Sequence, residues 1–184
     1  MREVSTRAFA SFTEPLRELG RTEAELIAGT RLSLAVVRDP TERVDWEDWA
    51  KLCDRFAAWV GSDAELERWG RRSATSGMVT PIRNVIGAIV SVDQVYLAAT
   101  RWFAPVLYRS HRFRLERAGP RRVVMTIELL PGYRGCRAWF VMARGALAAA
   151  PTLIGAPEAR VRAELGPERG VFTIDLPPDL PLRS

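Results

Sequence analysis

The stretch "HRFRLERAGPRRVVMTIELLPGYRGCRAWFVMARGALAAA" (residues 111–150) changes its periodicity in the middle, and this change indicates the fold. Its first part alternates apolar and polar residues around a Gly119-Pro120 turn, which predicts a β-hairpin with one buried face. That face carries His111, Phe113, Leu115, Val123, Met125, Ile127 and Leu129. From Cys136 to Ala150 the alternation stops, and the length and alanine content predict a helix that covers the hairpin.

The rest of the chain extends this pattern on both sides. Residues 159–165 and 171–176 alternate again and predict a second hairpin. Residues 1–105 are predicted to be helical, with one helix that begins at Pro81. The predicted fold class is therefore α+β. An N-terminal helical half precedes a four-stranded antiparallel sheet of two hairpins, with a crossover helix packed on one face of the sheet.

These elements are expected to form one sensor domain over residues 1–176. Its helical part covers residues 1–105, and its hairpin–helix–hairpin part covers residues 106–176. The proline-rich stretch "PPDLPLRS" (residues 177–184) is expected to begin a linker to an output module.

The charge and hydropathy of the chain argue against nucleic-acid and membrane binding. The 184 residues carry a formal net charge of +5, but the basic residues, of which only Lys51 is lysine, are spread along the whole chain. We therefore expect no direct nucleic-acid binding by this domain. The apolar run at residues 136–150 is too short for a membrane span and contains Arg144, and the N-terminus has no signal peptide. A cytoplasmic location without membrane contact is expected.

The residues that catalysis and metal binding require are scarce. His111 is the only histidine, and Cys53 and Cys136 are isolated cysteines of the kind found as buried, reduced thiols. The chain has no nucleophile elbow, no phosphate-binding glycine loop and no close pair of metal ligands. We therefore predict no catalytic residue, no metal site and no enzyme activity.

Aromatic and polar residues near the predicted helix–sheet junction indicate a ligand-binding site instead. His111 lies on the apolar face of its strand, so it is a core histidine bonded to a neighbour, a polar anchor in a cavity between sheet and helix, or a haem ligand. Arg144 either extends to solvent or provides a counter-charge for an acidic ligand. The small residues at 145–149 allow either close helix packing or an open space. The candidate ligand-binding residues are His111, Trp102, Tyr108, Phe113, Trp139, Phe140 and Arg144.

Two segments have a familiar hydrophobic pattern: "LIAGTRLSLAVVRDPTERVDWEDWAKLCDRFAAWVGSDAELERWGRR" (residues 26–72) and "TPIRNVIGAIVSVDQVYLAATRWFAPVLYRSHRFRLERAGPRRVVMTIEL" (residues 80–129). Together they resemble the N-terminal effector domain of AraC-type transcription regulators. The later order of hairpin, helix and two strands also resembles haem-NO-binding and V4R small-molecule sensor domains. These resemblances imply a sensory input domain placed before an output module. A haem-NO-binding domain takes its iron ligand from a helical histidine, whereas His111 is in a predicted strand. We therefore expect no cofactor, and haem is not expected.

We interpret the chain as a non-catalytic, small-molecule-sensing input domain of a bacterial signalling protein, either a sensor histidine kinase or a transcription regulator. A partly apolar effector would bind between the 136–150 helix and the sheet, and the domain is expected to form a homodimer. The alternative is a protein-interaction or dimerisation module without a ligand, which would use Trp46, Trp49 and Trp59 on a helical surface. An enzyme that acts on a small molecule is the third interpretation.

Overall fold

The computed structural model describes residues 2–74 and 91–178, and it has the predicted α+β architecture. The helix expected to begin at Pro81, and all but the first two residues of the expected linker, lie outside the described residues. The N-terminal half contains β1 (Val4–Ser5), α1 (Ala10–Glu18), α2 (Glu23–Ile27), α3 (Leu34–Arg38), β2 (Arg43–Val44), α4 (Trp46–Val60) and α5 (Asp63–Ser73). Strands β1 and β2 pair with each other in the antiparallel sense.

Local sequence signals determine where several of these helices begin and end. The Thr22 hydroxyl accepts a hydrogen bond from the Glu25 N–H, and the Glu25 carboxylate accepts one from the Thr22 N–H, so a complete capping box begins α2. The Ser62 hydroxyl accepts a backbone N–H at the start of α5. Helix α4 ends at Gly61, whose φ of 83° lies in the left-handed region that glycine adopts without strain. These signals place α4 and α5 in succession around one side of the core.

A π turn interrupts the helix that leads into the main sheet. The helix consists of α6 (Val92–Ala98), a π turn (Ala99–Phe103) and α7 (Ala104–Leu107). A π turn closes its hydrogen bonds over one more residue than an α-helical turn does. The residues after the turn are therefore rotated relative to their positions in an uninterrupted helix. We refer to this element as the helical segment 92–107.

The main sheet has four antiparallel strands in the order β3-β4-β6-β5. The strands are β3 (His111–Gly119), β4 (Arg122–Leu129), β5 (Arg160–Leu165) and β6 (Arg169–Asp175). His111 pairs with Leu129 and Phe113 pairs with Ile127 across the first hairpin. Both predicted hairpins are confirmed, and the period-2 pattern of each strand buries one face of the sheet.

Helix α8 (Arg137–Ala149) covers the buried face of the sheet, as predicted, and it packs very closely against α5. A Cβ added at Gly145 would lie 2.0 Å from the Glu67 carbonyl oxygen, and one added at Gly70 would lie 2.0 Å from the Met142 carbonyl oxygen. The two backbones can approach this closely only because each helix has a glycine at the contact. Close packing is therefore the role of Gly145.

The hydrophobic core is continuous between the helical half and the sheet. Trp46 and Phe56 of α4 are fully buried, as are Phe140 of α8 and Phe172 of β6. Within residues 2–74 and 91–178, no helix combines the length and the apolar character that crossing a membrane requires.

Candidate ligand cavity

A cavity of about 210 Å³ lies between α8, the buried face of the sheet and the helical segment 92–107. Helices α1, α4 and α5 also contribute to its wall. The side chains from the sheet and α8 are Phe113, Met125, Ile127, Trp139, Met142, Ala143, Ala146 and Leu147. Those from the helical segment are Val95, Ala99, Thr100, Phe103, Ala104 and Leu107. The cavity thus adjoins the predicted helix–sheet junction, but more elements form it than the sequence indicates.

The cavity wall is apolar and, among the described lining residues, has no charged side chain. The hydroxyls of Ser11 and Thr100 donate to the carbonyl oxygens of Ala8 and Tyr96, three and four residues earlier in the chain. The buried indole N–H of Trp49, by contrast, has no acceptor among the described residues. Buried donors in proteins normally have a partner. This N–H is therefore a candidate donor to an acceptor atom of a bound molecule.

Tyr108 carries the phenol of the cavity wall. Burial raises the pKa of this phenol, while a hydrogen bond from the Trp139 side chain acts in the opposite direction. The two rings meet edge to face, with their centroids 5.1 Å apart. Because a buried phenolate is costly, the phenol stays protonated at neutral pH unless a positive centre, such as a metal ion, lies beside it.

His111 packs behind this wall and does not line it. Its Nδ1 is 3.1 Å from the Ser110 hydroxyl oxygen, and its ring stacks on that of Trp139 with centroids 4.2 Å apart. Burial lowers the pKa of His111 to about 3, so the ring is neutral at neutral pH. Its Nε2 has no partner among the described residues. His111 thus has the neighbour bond expected of a core histidine, and a ligand-binding role for its Nε2 stays a prediction.

The other residues predicted to bind a ligand fall into two groups. Those on the cavity wall are Tyr108, Phe113 and Trp139. Phe140 is fully buried next to Trp139 but does not line the cavity. Arg144 forms an ion pair with Glu67 of α5, and Trp102 is 58% exposed to solvent. Neither Arg144 nor Trp102 therefore contributes to the wall.

The lining residues that come from the N-terminal half were not among the predicted ligand-binding residues. Phe12, Phe56 and Trp69 of α1, α4 and α5 all lie on the wall. Nothing in the local sequence separates them from ordinary core residues, because each has the helical spacing of a buried position. The one sequence signal that could have predicted a further side of the cavity was the regular spacing of apolar residues in the helical segment 92–107.

The helical tryptophans of the alternative interpretation do not form an interaction surface. Trp46 and Trp49 are buried in the core, and Trp49 lines the cavity. Trp59 is half-buried, with the Arg21 guanidinium over its ring. An interaction module would need a different surface.

The described residues contain no group of three or more His, Cys, Asp or Glu side chains that could hold a metal ion. Cys53 and Cys136 are both buried, and burial raises the pKa of the Cys53 thiol well above its ordinary value. The Cys53 thiol is accordingly protonated and unreactive at neutral pH.

The fold matches solved structures of H-NOX proteins. An Fe(II) unliganded H-NOX protein from K. algicida has a TM-score of 0.71 at 11% identity, covering 98% of this chain and 100% of that chain. An H-NOX protein from S. oneidensis in the Fe(II)NO ligation state has a TM-score of 0.67 at 10% identity, covering 95% of this chain and 100% of that chain. A third structure, concerned with modulating haem redox potential through porphyrin distortion, has a TM-score of 0.56 at 14% identity, covering 94% and 100%. At such identities the likeness shows the fold.

No model of a known protein family matches the chain, and no curated protein matches its sequence. The comparisons do not show the resemblance to AraC-type regulators. The resemblance to haem-NO-binding domains is supported at the level of the fold.

The expectation of no cofactor, with haem not expected, is wrong. The matched structures are H-NOX proteins whose descriptions name an Fe(II) centre, an NO ligation state or haem distortion, and this contradicts the exclusion of haem. The error arose because the expectation was based on the position of one histidine. Haem iron in proteins is also held by tyrosine, methionine and cysteine side chains, and an apolar cavity with such donors does not depend on His111.

The apolar character of the cavity wall suits the faces of a porphyrin. The side chains of the wall that could ligate iron are not histidines. Among the described lining residues, the side chains that can ligate haem iron are the Tyr108 phenol and the thioethers of Met125 and Met142. Helix α6 contains Tyr96, whose hydroxyl donates to the Leu147 carbonyl oxygen at 2.8 Å. The cavity is smaller than the roughly 300–1,000 Å³ of pockets for drug-sized ligands. A group as large as haem therefore requires its walls to move apart.

Proposed function

We propose that this chain is a non-catalytic sensor domain that binds a partly apolar small molecule or cofactor in the cavity beneath α8. The observation that carries the proposal is an apolar cavity with an unpartnered Trp49 N–H and the Tyr108 phenol at its wall. Pockets that bind small molecules have this composition, with many apolar side chains and a few polar groups that orient the ligand. The H-NOX fold supports the same role.

Haem is the molecule to test first, because the solved structures of this fold point to it. Tyr108 would hold the iron through its phenol oxygen, and Phe113 and Trp139 would contact the porphyrin faces. When bound, haem supplies an iron centre whose remaining coordination site can take a small gas molecule.

The chain's own residues would orient such a ligand and exclude water from it. The Trp139 side chain bonds Tyr108 and thereby restricts the direction of the phenol oxygen. The Trp139 ring also stacks on the ring of His111. Because the His111 ring is neutral at neutral pH, it places no positive charge next to the cavity. The absence of charged lining residues from the described wall favours a ligand that is uncharged where it is buried.

The proposal is tested by titrating the purified chain with haem and, separately, with metal-free protoporphyrin, while recording absorbance and melting temperature. We expect saturable binding of both, with a Soret band for haem and a higher melting temperature. Tyr108→Phe should change the spectrum of bound haem and leave the binding of protoporphyrin nearly unchanged, because it removes only the iron donor. Tyr133→Phe is the matched control, since Tyr133 is not among the lining residues.

The outcomes distinguish the failure of haem as the ligand from the failure of the cavity as a binding site. Haem binding that Tyr108→Phe leaves spectroscopically unchanged would reject Tyr108 as the iron donor. If neither porphyrin binds, a metabolite screen by melting temperature tests the cavity itself. The proposal of a sensor domain fails if no compound of that screen stabilises the protein. It also fails if the stabilisation by a compound is unchanged in Ala146→Leu, whose larger side chain occupies the cavity.

The identity of the output module and the oligomeric state belong to the same proposal. A sensor domain acts by biasing an output such as a histidine kinase or a transcription regulator. We propose that the chain acts in this way and as a homodimer. Sedimentation of the chain with and without haem is the direct test of the dimer.

A further inference from the structure

The described residues include three large apolar side chains that are exposed, and all three lie on one helix. Leu97 is 39% exposed, Trp102 is 58% exposed and Val106 is 60% exposed. All belong to the helical segment 92–107, and they follow its outer face. We call these three residues the exposed helix patch. Single exposed apolar residues are ordinary, but a contiguous group marks an interaction site more often.

The π turn at 99–103 brings the patch to the surface. In an uninterrupted α-helix, positions 95, 99, 102 and 106 would share one face because 3.6 residues make a turn. Val95 and Ala99 line the cavity, whereas Trp102 and Val106 are on the opposite side of the helix, at the surface. The extra residue of the π turn places Phe103 and Leu107 on the cavity side instead. The helix therefore has a cavity face and a separate apolar outer face.

Positive charge accompanies the exposed helix patch. Arg101 and Arg109 are exposed residues of the same stretch, and neither has an acidic partner among the described residues. Arg43 donates to the Val106 carbonyl oxygen at 2.9 Å. Burial lowers the pKa of Arg43, and the nearby charge of Arg109 lowers it further. The patch is therefore apolar along its length and cationic beside it.

We propose that the exposed helix patch docks an amphipathic helix of a partner protein that carries acidic residues beside its apolar stripe. The patch is one helix wide and, from Leu97 to Val106, about 14 Å long at 1.5 Å per residue, which matches helix-on-helix packing. Arg101 lies on the helical segment, and Arg109 follows the end of that segment at Leu107. Both would pair with carboxylates that lie beside the apolar stripe of the partner helix.

Charge favours this partner over a second copy of the chain. A two-fold contact with a second copy would bring the same cationic patch against itself, which places like charges in contact. An anionic lipid surface would share the charge, but a helix that binds lipid sinks its apolar face into the interface. Here the exposed apolar part is limited to three side chains, and the opposite face of the same helix lines the cavity. The docking surface is independent of what the cavity holds.

The experiment measures the binding of two fluorescent, helix-locked peptides of about four turns to the chain by anisotropy. Both carry a leucine stripe; one has glutamates two turns apart beside the stripe, and the other has lysines at the same positions. We expect the acidic peptide to bind at least about tenfold more tightly than the basic one at low salt, with the difference shrinking as salt is added. Trp102→Ala should weaken the acidic peptide about tenfold or more. The double substitution Arg101→Glu with Arg109→Glu should reverse the peptide preference.

Trp59→Ala is the matched control, because Trp59 lies outside the patch. The Trp59→Ala variant should bind the acidic peptide as tightly as the unsubstituted chain does. The melting temperature of Trp102→Ala should also be unchanged, since its side chain is largely in solvent. The proposal is overturned if the acidic peptide does not bind, or if both peptides bind equally. It is also overturned if Trp102→Ala has no effect on peptide binding. Trp102-dependent binding to anionic vesicles, or Trp102-dependent self-association, without binding of the acidic peptide would assign the patch to a membrane or to a second copy.

Discussion

Replacing Gly145 by alanine tests the closest contact in the molecule, the approach of α8 to α5. The added Cβ would lie 2.0 Å from the Glu67 carbonyl oxygen and 2.8 Å from the Arg71 amide nitrogen, whereas ordinary contact begins at 3.4 Å. Both neighbouring atoms belong to the backbone. A change of side-chain rotamer cannot relieve the overlap, and the two helices must separate.

The expected cost follows from two opposing contributions. Overpacking of a core costs about 1–3 kcal/mol, and we take the upper end because backbone has to move. Alanine returns about 1 kcal/mol relative to glycine in a helix. The net loss in the free energy of unfolding is therefore about 2 kcal/mol, which corresponds to a melting temperature lower by about 4–8 °C for a chain of this size.

The assay is urea unfolding followed by tryptophan fluorescence, with a thermal scan alongside. Gly119→Ala is the matched control, because its Cβ would meet the Arg122 Cβ at an ordinary 3.7 Å. We expect the control to stay within about 0.5 kcal/mol of the unsubstituted chain. If Gly145→Ala were as stable as the control, the close α5–α8 contact and the reasoning built on it would be refuted.

Three further predictions concern the cavity and its surroundings. Below pH 6.5 the free energy of unfolding should fall by up to about 1.4 kcal/mol per pH unit, because the unfolded chain protonates its histidine near pH 6.5 while the folded pKa of His111 is about 3. The unfolded state binds more protons than the folded state in that range, so stability is lost as the pH falls. His111→Phe should flatten the dependence of the free energy of unfolding on pH, measured by urea titrations between pH 5 and 6.5. An unchanged pH dependence would contradict the assignment of the effect to His111. Ala146→Leu should fill part of the cavity and weaken porphyrin binding about tenfold or more, with little loss of melting temperature; equal losses of both would mean that the site is ordinary core. Tyr96→Phe should cost about 1–2 kcal/mol in urea unfolding, since the Leu147 carbonyl loses its donor, while the spectrum of bound haem stays the same; a changed spectrum would place Tyr96 at the iron.

Local sequence patterns predicted the sheet and its covering helix because these elements depend on short-range periodicity. The alternation around Gly119-Pro120 became β3 and β4, and the alanine-rich run from Cys136 became α8 with Cys136 as its N-cap residue. Turn and cap residues operate within a few positions of each other. Their structural consequences are therefore visible in the sequence itself.

The cavity could be predicted only in part, because distant segments form it. Tyr108, Phe113 and Trp139 are near one another in the hairpin–helix unit, and their placement on the wall agrees with the predicted junction. The contribution of Trp49 depends on how α4 docks, which no local pattern encodes. Trp102 was assigned to the ligand site because it lies near the predicted helix–sheet junction in the sequence, whereas the π turn leaves it on the outer face of the helix.

The π turn makes the division between the cavity face and the outer face of the helix depend on one local hydrogen-bonding pattern. If residues 99–103 became regular α-helix without losing a residue, everything after them would turn by about 100°. Trp102 and Val106 would then face the cavity, where an indole would occupy much of the space. Deleting one residue from the same stretch would not have this effect, because the residues after it would move back by one position and keep their faces. A change in the hydrogen bonds of this stretch alone can thus exchange a domain with an open cavity for one with a filled cavity, with no change in the composition of the chain.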